Sequence, residues 1–226
     1  MTITTTGLTR AAGLSAAAAG LIFIAVQINH PTMDVDSVAT TEWVVRNSAK
    51  VAMAALALVG ITGMYLRQVR QVGVLGLIGY LLFGAGYLLM FSTEVISAYV
   101  LPGLVNLAPG YVNDIVVAAA GGTPVGDIGA MSTVLAVTGV GYMGGGLIFG
   151  IALFRGRILD RWAAALLALG TIATASLAVL PESFNRPMAV PVGLALIGLG
   201  VSLWRNPSSP AVVAAVEPAR IEHATV

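Results

Sequence analysis

Residues 128–154, IGAMSTVLAVTGVGYMGGGLIFGIALF, decide the fold class, because no side chain among them is charged. A hydrocarbon core about 30 Å thick is crossed by roughly 20 apolar residues in one helix. Lipid offers no hydrogen bonds to a backbone, and a helix satisfies its own. Small residues recur along the stretch in two sets. At about 100° per residue, Thr138, Gly141 and Gly145 share one face, and Ser132, Gly139, Gly146 and Gly150 share a second. Backbones approach closely over small residues, so two such faces predict two close neighbours and a central position in a bundle. A glycine hinge or a pore lining is the alternative use of the same residues.

Five further apolar blocks follow from the same test, at 11–29, 49–66, 72–91, 162–180 and 188–204. Together they predict an all-α fold, a polytopic transmembrane helical bundle of about six spans. The first block outlasts the h-region of a signal peptide, about 7–15 residues, and Gln27-Ile28-Asn29-His30-Pro31 supplies no small-residue cleavage site, so it reads as retained. It adds Ala12, Ala16 and Gly20 at four-residue spacing as another contact face. Residues 1–205 read as one transmembrane domain and 206–226, with Pro207, Pro210 and Pro218, as a flexible cytoplasmic tail.

Composition agrees with the spans. The chain is 58% hydrophobic and 9% charged, with a mean hydropathy of +0.93, against about 25% charged residues in an ordinary soluble domain. A net charge of +1 with scattered basic residues gives no footprint for nucleic acid. With no cysteine, thiolate chemistry, disulfides and cysteine metal sites are excluded. Lys50 is the single lysine, and the abundance of Arg, Ala, Gly and Val suggests a GC-rich bacterial genome.

Cytoplasmic loops collect Lys and Arg, which sets the orientation. With six spans and the N-terminus inside, the inner segments hold eight basic residues, Arg10, Arg67, Arg70, Arg155, Arg157, Arg161, Arg205 and Arg220. The outer loops hold three, Arg46, Lys50 and Arg186. Residues 95–122 are apolar but broken by Pro102-Gly103 and Pro109-Gly110; a seventh crossing there would leave four basic residues inside against seven outside. They are expected as an outer re-entrant or interfacial segment. Both chain ends are then cytoplasmic.

Few chemistries have the residues they need. Haem ligation by a histidine pair within the spans fails, since only His30 and His223 exist. The sequence lacks the zinc-protease, nucleophile-elbow and phosphate-loop motifs, and no motif calls for a cofactor or a metal. His30, Asp34 and Asp36 lie near one another but match no ligand spacing. Lys50, at the outer end of the second span, suits interface anchoring.

One pattern on the third span offers a candidate site. Gly76, Tyr80, Phe83, Tyr87, Met90 and Glu94 recur at three- and four-residue spacings, which places them on one helical face. The stripe suits helix packing or an aromatic belt. The functional reading of the same stripe, second to packing, is a hydrophobic ligand slot lined by Tyr80, Phe83 and Tyr87, with Glu94 at its outer mouth flanked by Ser92 and Thr93.

The run Gly144-Gly145-Gly146-Leu147-Ile148-Phe149-Gly150 to Phe154-Arg155, with Leu159-Asp160-Arg161-Trp162, resembles small multi-pass membrane proteins of high-GC Gram-positive bacteria. That resemblance implies a bacterial cytoplasmic membrane and no particular chemistry. Three classes of function remain. The first is a membrane protein, in contact with the lipid bilayer, that binds an apolar ligand or a membrane-protein partner. The second is an enzyme acting on a lipid or isoprenoid, with Glu94 as general acid beside Tyr87 or the loop acids Asp114 and Asp127. The third is a small-solute transporter, for which the spans carry few ionisable residues.

Overall fold

The computed structural model describes residues 3–178 and 187–207. Every regular element among them is helical: α1 (Thr5–Ala25), α2 (Val35–Val38), α3 (Thr41–Arg67), α4 (Val69–Tyr99), α5 (Leu101–Leu104), α6 (Pro109–Ala119), α7 (Ala130–Gly156), α8 (Arg161–Ala173) with a 3₁₀ turn (Thr174–Ala178), and α9 (Ala189–Arg205). The helices α1, α3, α4 and α7 are long and apolar enough to cross a membrane. At 17 and 13 residues, α9 and α8 fall short of that length by themselves. The end of the fifth expected span, 179–180, lies outside the described residues, as do Glu182, Arg186 and the tail beyond Pro207.

Helix ends depart from hydropathy where charge is locally balanced. The second span was expected from residue 49, yet α3 begins at Thr41. The Thr40 hydroxyl accepts from the Trp43 N–H, and Glu42 meets Arg46 one turn on at 2.7 Å. The same holds at the end of α4, which runs to Tyr99, past the expected limit at residue 91. There Glu94 faces Lys50 of α3 at 3.7 Å. Residues 95–99 therefore belong to a long helix and not to an outer loop.

The six larger helices form a closed ring, each packed on its chain neighbours, with α9 returning to α1. Neighbours run antiparallel. Gly13 lies against Gly200 while Gly20 lies against Gly193; Gly79 lies against Phe149 while Gly86 lies against Tyr142. The two faces of α7 separate as the spacing predicts. Gly141 and Gly145 meet α4 at Gly86 and Phe83, and Gly146 and Gly150 meet α8 at Thr171 and Ala168. Gly139, with only the end of Met143 nearby, and Ser132, which is exposed and bonds to the Gly129 carbonyl, are exceptions. On α1, Ala16 packs on Gly60, Ala12 on Gly63 and Gly20 on α9. Met53, Phe83, Tyr87, Phe149, Leu167 and Leu199, from five of the helices, fill the common core.

Charge separates to the two ends of this ring. At one end, the Arg10 guanidinium lies 5.9 Å from the Trp204 ring, Arg67 Nε donates to the Asn206 carbonyl at 2.6 Å, and the Asp160 N–H donates to Ser202 Oγ at 3.0 Å. These contacts gather the starts of α1 and α8 with the ends of α3 and α9. The opposite end is closed by α2, α5 and α6 around a second apolar cluster of Val38, Trp43, Leu101, Val112, Val116 and Ile128. With 11 residues, α6 is about 16 Å long at 1.5 Å per residue, half the depth of a bilayer core.

Candidate functional site

The expected stripe on α4 is divided between two neighbours. Tyr80 stacks on Tyr65 of α3, with ring centroids 4.6 Å apart and planes 6° from parallel. Phe83 and Tyr87 are fully buried and meet edge to face at 5.0 Å, and both contact Tyr142 of α7, at 5.9 and 6.0 Å. Phe149 completes the group 6.2 Å from Phe83. The Tyr87 and Tyr142 hydroxyls are buried and have no hydrogen-bond partner among the described residues. Glu94 turns to α3, where its side chain is 20% exposed and Lys50 is 14% exposed. Lys50 also donates to Asn47 Oδ1 at 3.0 Å, and the buried Asn47 amide donates to the Trp43 carbonyl. These contacts use the stripe to join α4 to α3 and α7.

An open groove lies one face further round α4. Leu89, Ser92, Thr93 and Ile96 line it at helical spacing, and α7 faces them with Met131 and Val134, around a volume of about 640 Å³. Tyr111 of α6 and Asp127 complete the end nearest α6. Such a volume falls among ligand pockets of about 300–1,000 Å³, which combine apolar walls with a few placed polar groups. Ser92 Oγ donates to the Leu88 carbonyl at 3.0 Å and Thr93 Oγ1 to the Met90 carbonyl at 2.9 Å, so each hydroxyl keeps its lone pairs for the groove.

The wall beyond α6 is set by a buried carboxylate. Asp114 accepts from the Val125 N–H at 3.0 Å and the Gly126 N–H at 2.9 Å, which fixes the loop that delivers Asp127 and the start of α7. Asp127 Oδ1 in turn accepts from the Gly129 N–H at 2.7 Å. Gly129 has φ +59° and ψ −140°, a conformation open in practice only to glycine. On the α4 side the sequence singled out Ser92 and Thr93 only as flanks of Glu94, and Tyr80, Phe83, Tyr87 and Glu94, the residues of the expected slot, do not line this groove. Met131, Val134 and Tyr111 carry no comparable signal, because Asp114 brings them there through the fold.

Other sequence candidates have local roles. Asp34 caps α2 by accepting from the Ser37 N–H at 2.8 Å; the hydrogen bonds from Thr32 and Ser37 hold its carboxyl below the usual carboxylate range. His30 Nδ1 lies 2.8 Å from the Pro31 carbonyl. Among the described residues no three His, Asp or Glu side chains are grouped to hold a metal. Four helices of spanning length and apolarity mark the class as a helical membrane protein. The chain matches no family model, and neither curated proteins nor solved structures give a match.

Proposed function

We propose that the protein crosses a bacterial cytoplasmic membrane six times, with both ends inside, and binds a lipid-like apolar molecule in the outer groove between α4 and α7. The observation that carries the binding reading is the groove itself, with apolar walls from two helices and a polar outer end of Ser92, Thr93, Tyr111 and Asp127. An amphipathic molecule standing in a bilayer has its head at the boundary and its chain below, the same polarity order. Of the three acids considered for catalysis, Asp114 holds a loop and Glu94 faces Lys50, while Asp127 lines the groove and accepts from the Gly129 N–H. Two of the three are thus committed to structural contacts, which favours binding over general acid chemistry. Six crossings are supported by the antiparallel ring, in which α8 and α9 lie between α7 and α1, and the orientation by the arginine-rich end.

Native mass spectrometry of gently extracted protein tests the binding. Wild-type protein should retain a stoichiometric lipid-like molecule. Val134→Trp, which fills the groove, should lose it while the thermal transition persists, and Glu94→Gln should retain it. Equal retention by Val134→Trp would end the groove reading.

A further inference from the structure

The polar end of the groove is unbalanced in its hydrogen-bonding capacity. Ser92 and Thr93 have each donated their one hydroxyl proton to their own helix, and what they turn outward are acceptor lone pairs. Asp127 is the one charged side chain among the described lining residues, and an ionised carboxylate only accepts. Tyr111 supplies a single O–H. Among the described residues, the basic side chains at that end of the ring, Lys50 and Arg46, are engaged elsewhere. Lys50 faces Asn47 and Glu94, and Arg46 donates to three carbonyls of the α1 end and to Glu42.

The start of α7 is the competing feature, because a helix N-terminus favours anions. Here three of the donors around it are already used. The Gly129 N–H goes to Asp127, and the Met131 and Ser132 N–H groups go to the Ile128 and Gly129 carbonyls, at 3.3 Å each. Asp127 itself supplies the negative charge at that terminus. A second anion brought beside it would meet the like charge of that carboxylate.

Resting on the groove reading, we infer that the occupant is a lipid whose head donates hydrogen bonds and is positively charged at its tip, a primary ammonium. The ammonium carries three N–H donors, which Asp127 Oδ2 and the Ser92 and Thr93 oxygens complement. A quaternary ammonium carries the same charge and no donor, and an anionic glycerol head carries donors and the wrong charge.

The test mixes equal amounts of phosphatidylethanolamine, phosphatidylcholine and phosphatidylglycerol of identical acyl chains in detergent micelles, and reads the lipid retained by the full chain in native mass spectrometry. Wild-type protein should retain phosphatidylethanolamine several-fold over both others. Asp127→Asn should level that preference without lowering total lipid retained, since the apolar walls are unchanged. Equal retention of the three heads by wild-type protein, or preference for phosphatidylglycerol, would overturn the head-group inference and leave the groove reading standing. Retention of no lipid, or retention untouched by Val134→Trp, would instead bring down the groove reading itself. A preference that survives Asp127→Asn would also overturn the inference, because the carboxylate would then play no part in it.

Discussion

At the scale of single residues, glycine carries most of the fold, and its two uses have different energetic causes. Gly145 is needed for space: a Cβ there would collide with the Phe83 backbone of α4. Gly144, its neighbour, has nothing within 4 Å of the same position. Gly145→Leu should therefore lower the thermal transition in detergent by separating α4 from α7, an overpacking cost of about 1–3 kcal/mol or more, and Gly144→Leu should be tolerated. Comparable melting of the two variants would show that the α4–α7 contact is not close. Gly73 is needed for conformation. A Cβ there would have open space, but its φ of +54° and ψ of −148° break α4 after its first turn, just past the tight reversal at Gln68. An alanine at that position holds about 1–3 kcal/mol of backbone strain. Gly73→Ala should destabilise by that amount although it touches nothing, and an unchanged melt would remove the kink. The first use was legible in the sequence because spacing reports faces; the second was not, since no periodicity marks a single positive φ.

At the scale of helices, what hydropathy hid was charge pairing, one pair within α3 and one between α3 and α4. Hydropathy ends a span where charges begin, and here α3 and α4 extend past those points because Lys50 meets Glu94 and Glu42 meets Arg46. The aromatic stripe was legible as a face, yet its division between Tyr65 on one side and Tyr142 with Phe149 on the other depends on which helices stand next to α4. Arg46 gives the clearest consequence. Its NH1 donates to the carbonyls of Val26 and Ile28 at 2.9 and 2.8 Å, and its NH2 to that of Asn29 at 3.1 Å, closing the end of α1 against α3. Helix C-termini leave carbonyls without intrahelical partners, and a planar guanidinium reaches several at once. Arg46→Ala should lower stability by about 1–3 kcal/mol, the cost of leaving such groups unpaired. Arg46→Lys should recover little of it, because an ammonium on a flexible stem cannot reproduce the fork. Full recovery in a thermal melt would mean that positive charge alone holds the α1 end.

At the scale of the whole molecule, the ring and the charge distribution make one joint statement about topology. A closed ring of antiparallel neighbours with α9 on α1 brings the start of α1 and the end of α9 to the same end. The proposed six crossings would return the chain to its starting side, and seven would not. The hairpin ends agree: a Cβ on Gly156 would lie 2.5 Å from Gln68 Oε1, so the α3–α4 reversal and the α7 end share that side. A crossing hidden in residues 101–119 would separate them, and α5 and α6 are short helices packed over the opposite end. The chain has no cysteine, so single thiols report without background. Ala39→Cys and Val125→Cys, the latter at a side chain position 98% exposed, should react with an impermeant maleimide on intact cells. Gln71→Cys and Arg157→Cys should react only after the membrane is opened. Two outcomes discriminate sharply. Labelling of position 157 but not 71 from outside would place a crossing between them that the ring does not contain. Labelling of 71 and 157 together, with 39 and 125 protected, would keep the ring and invert the orientation, so that the arginine-rich end would face outward against the charge bias of membrane insertion.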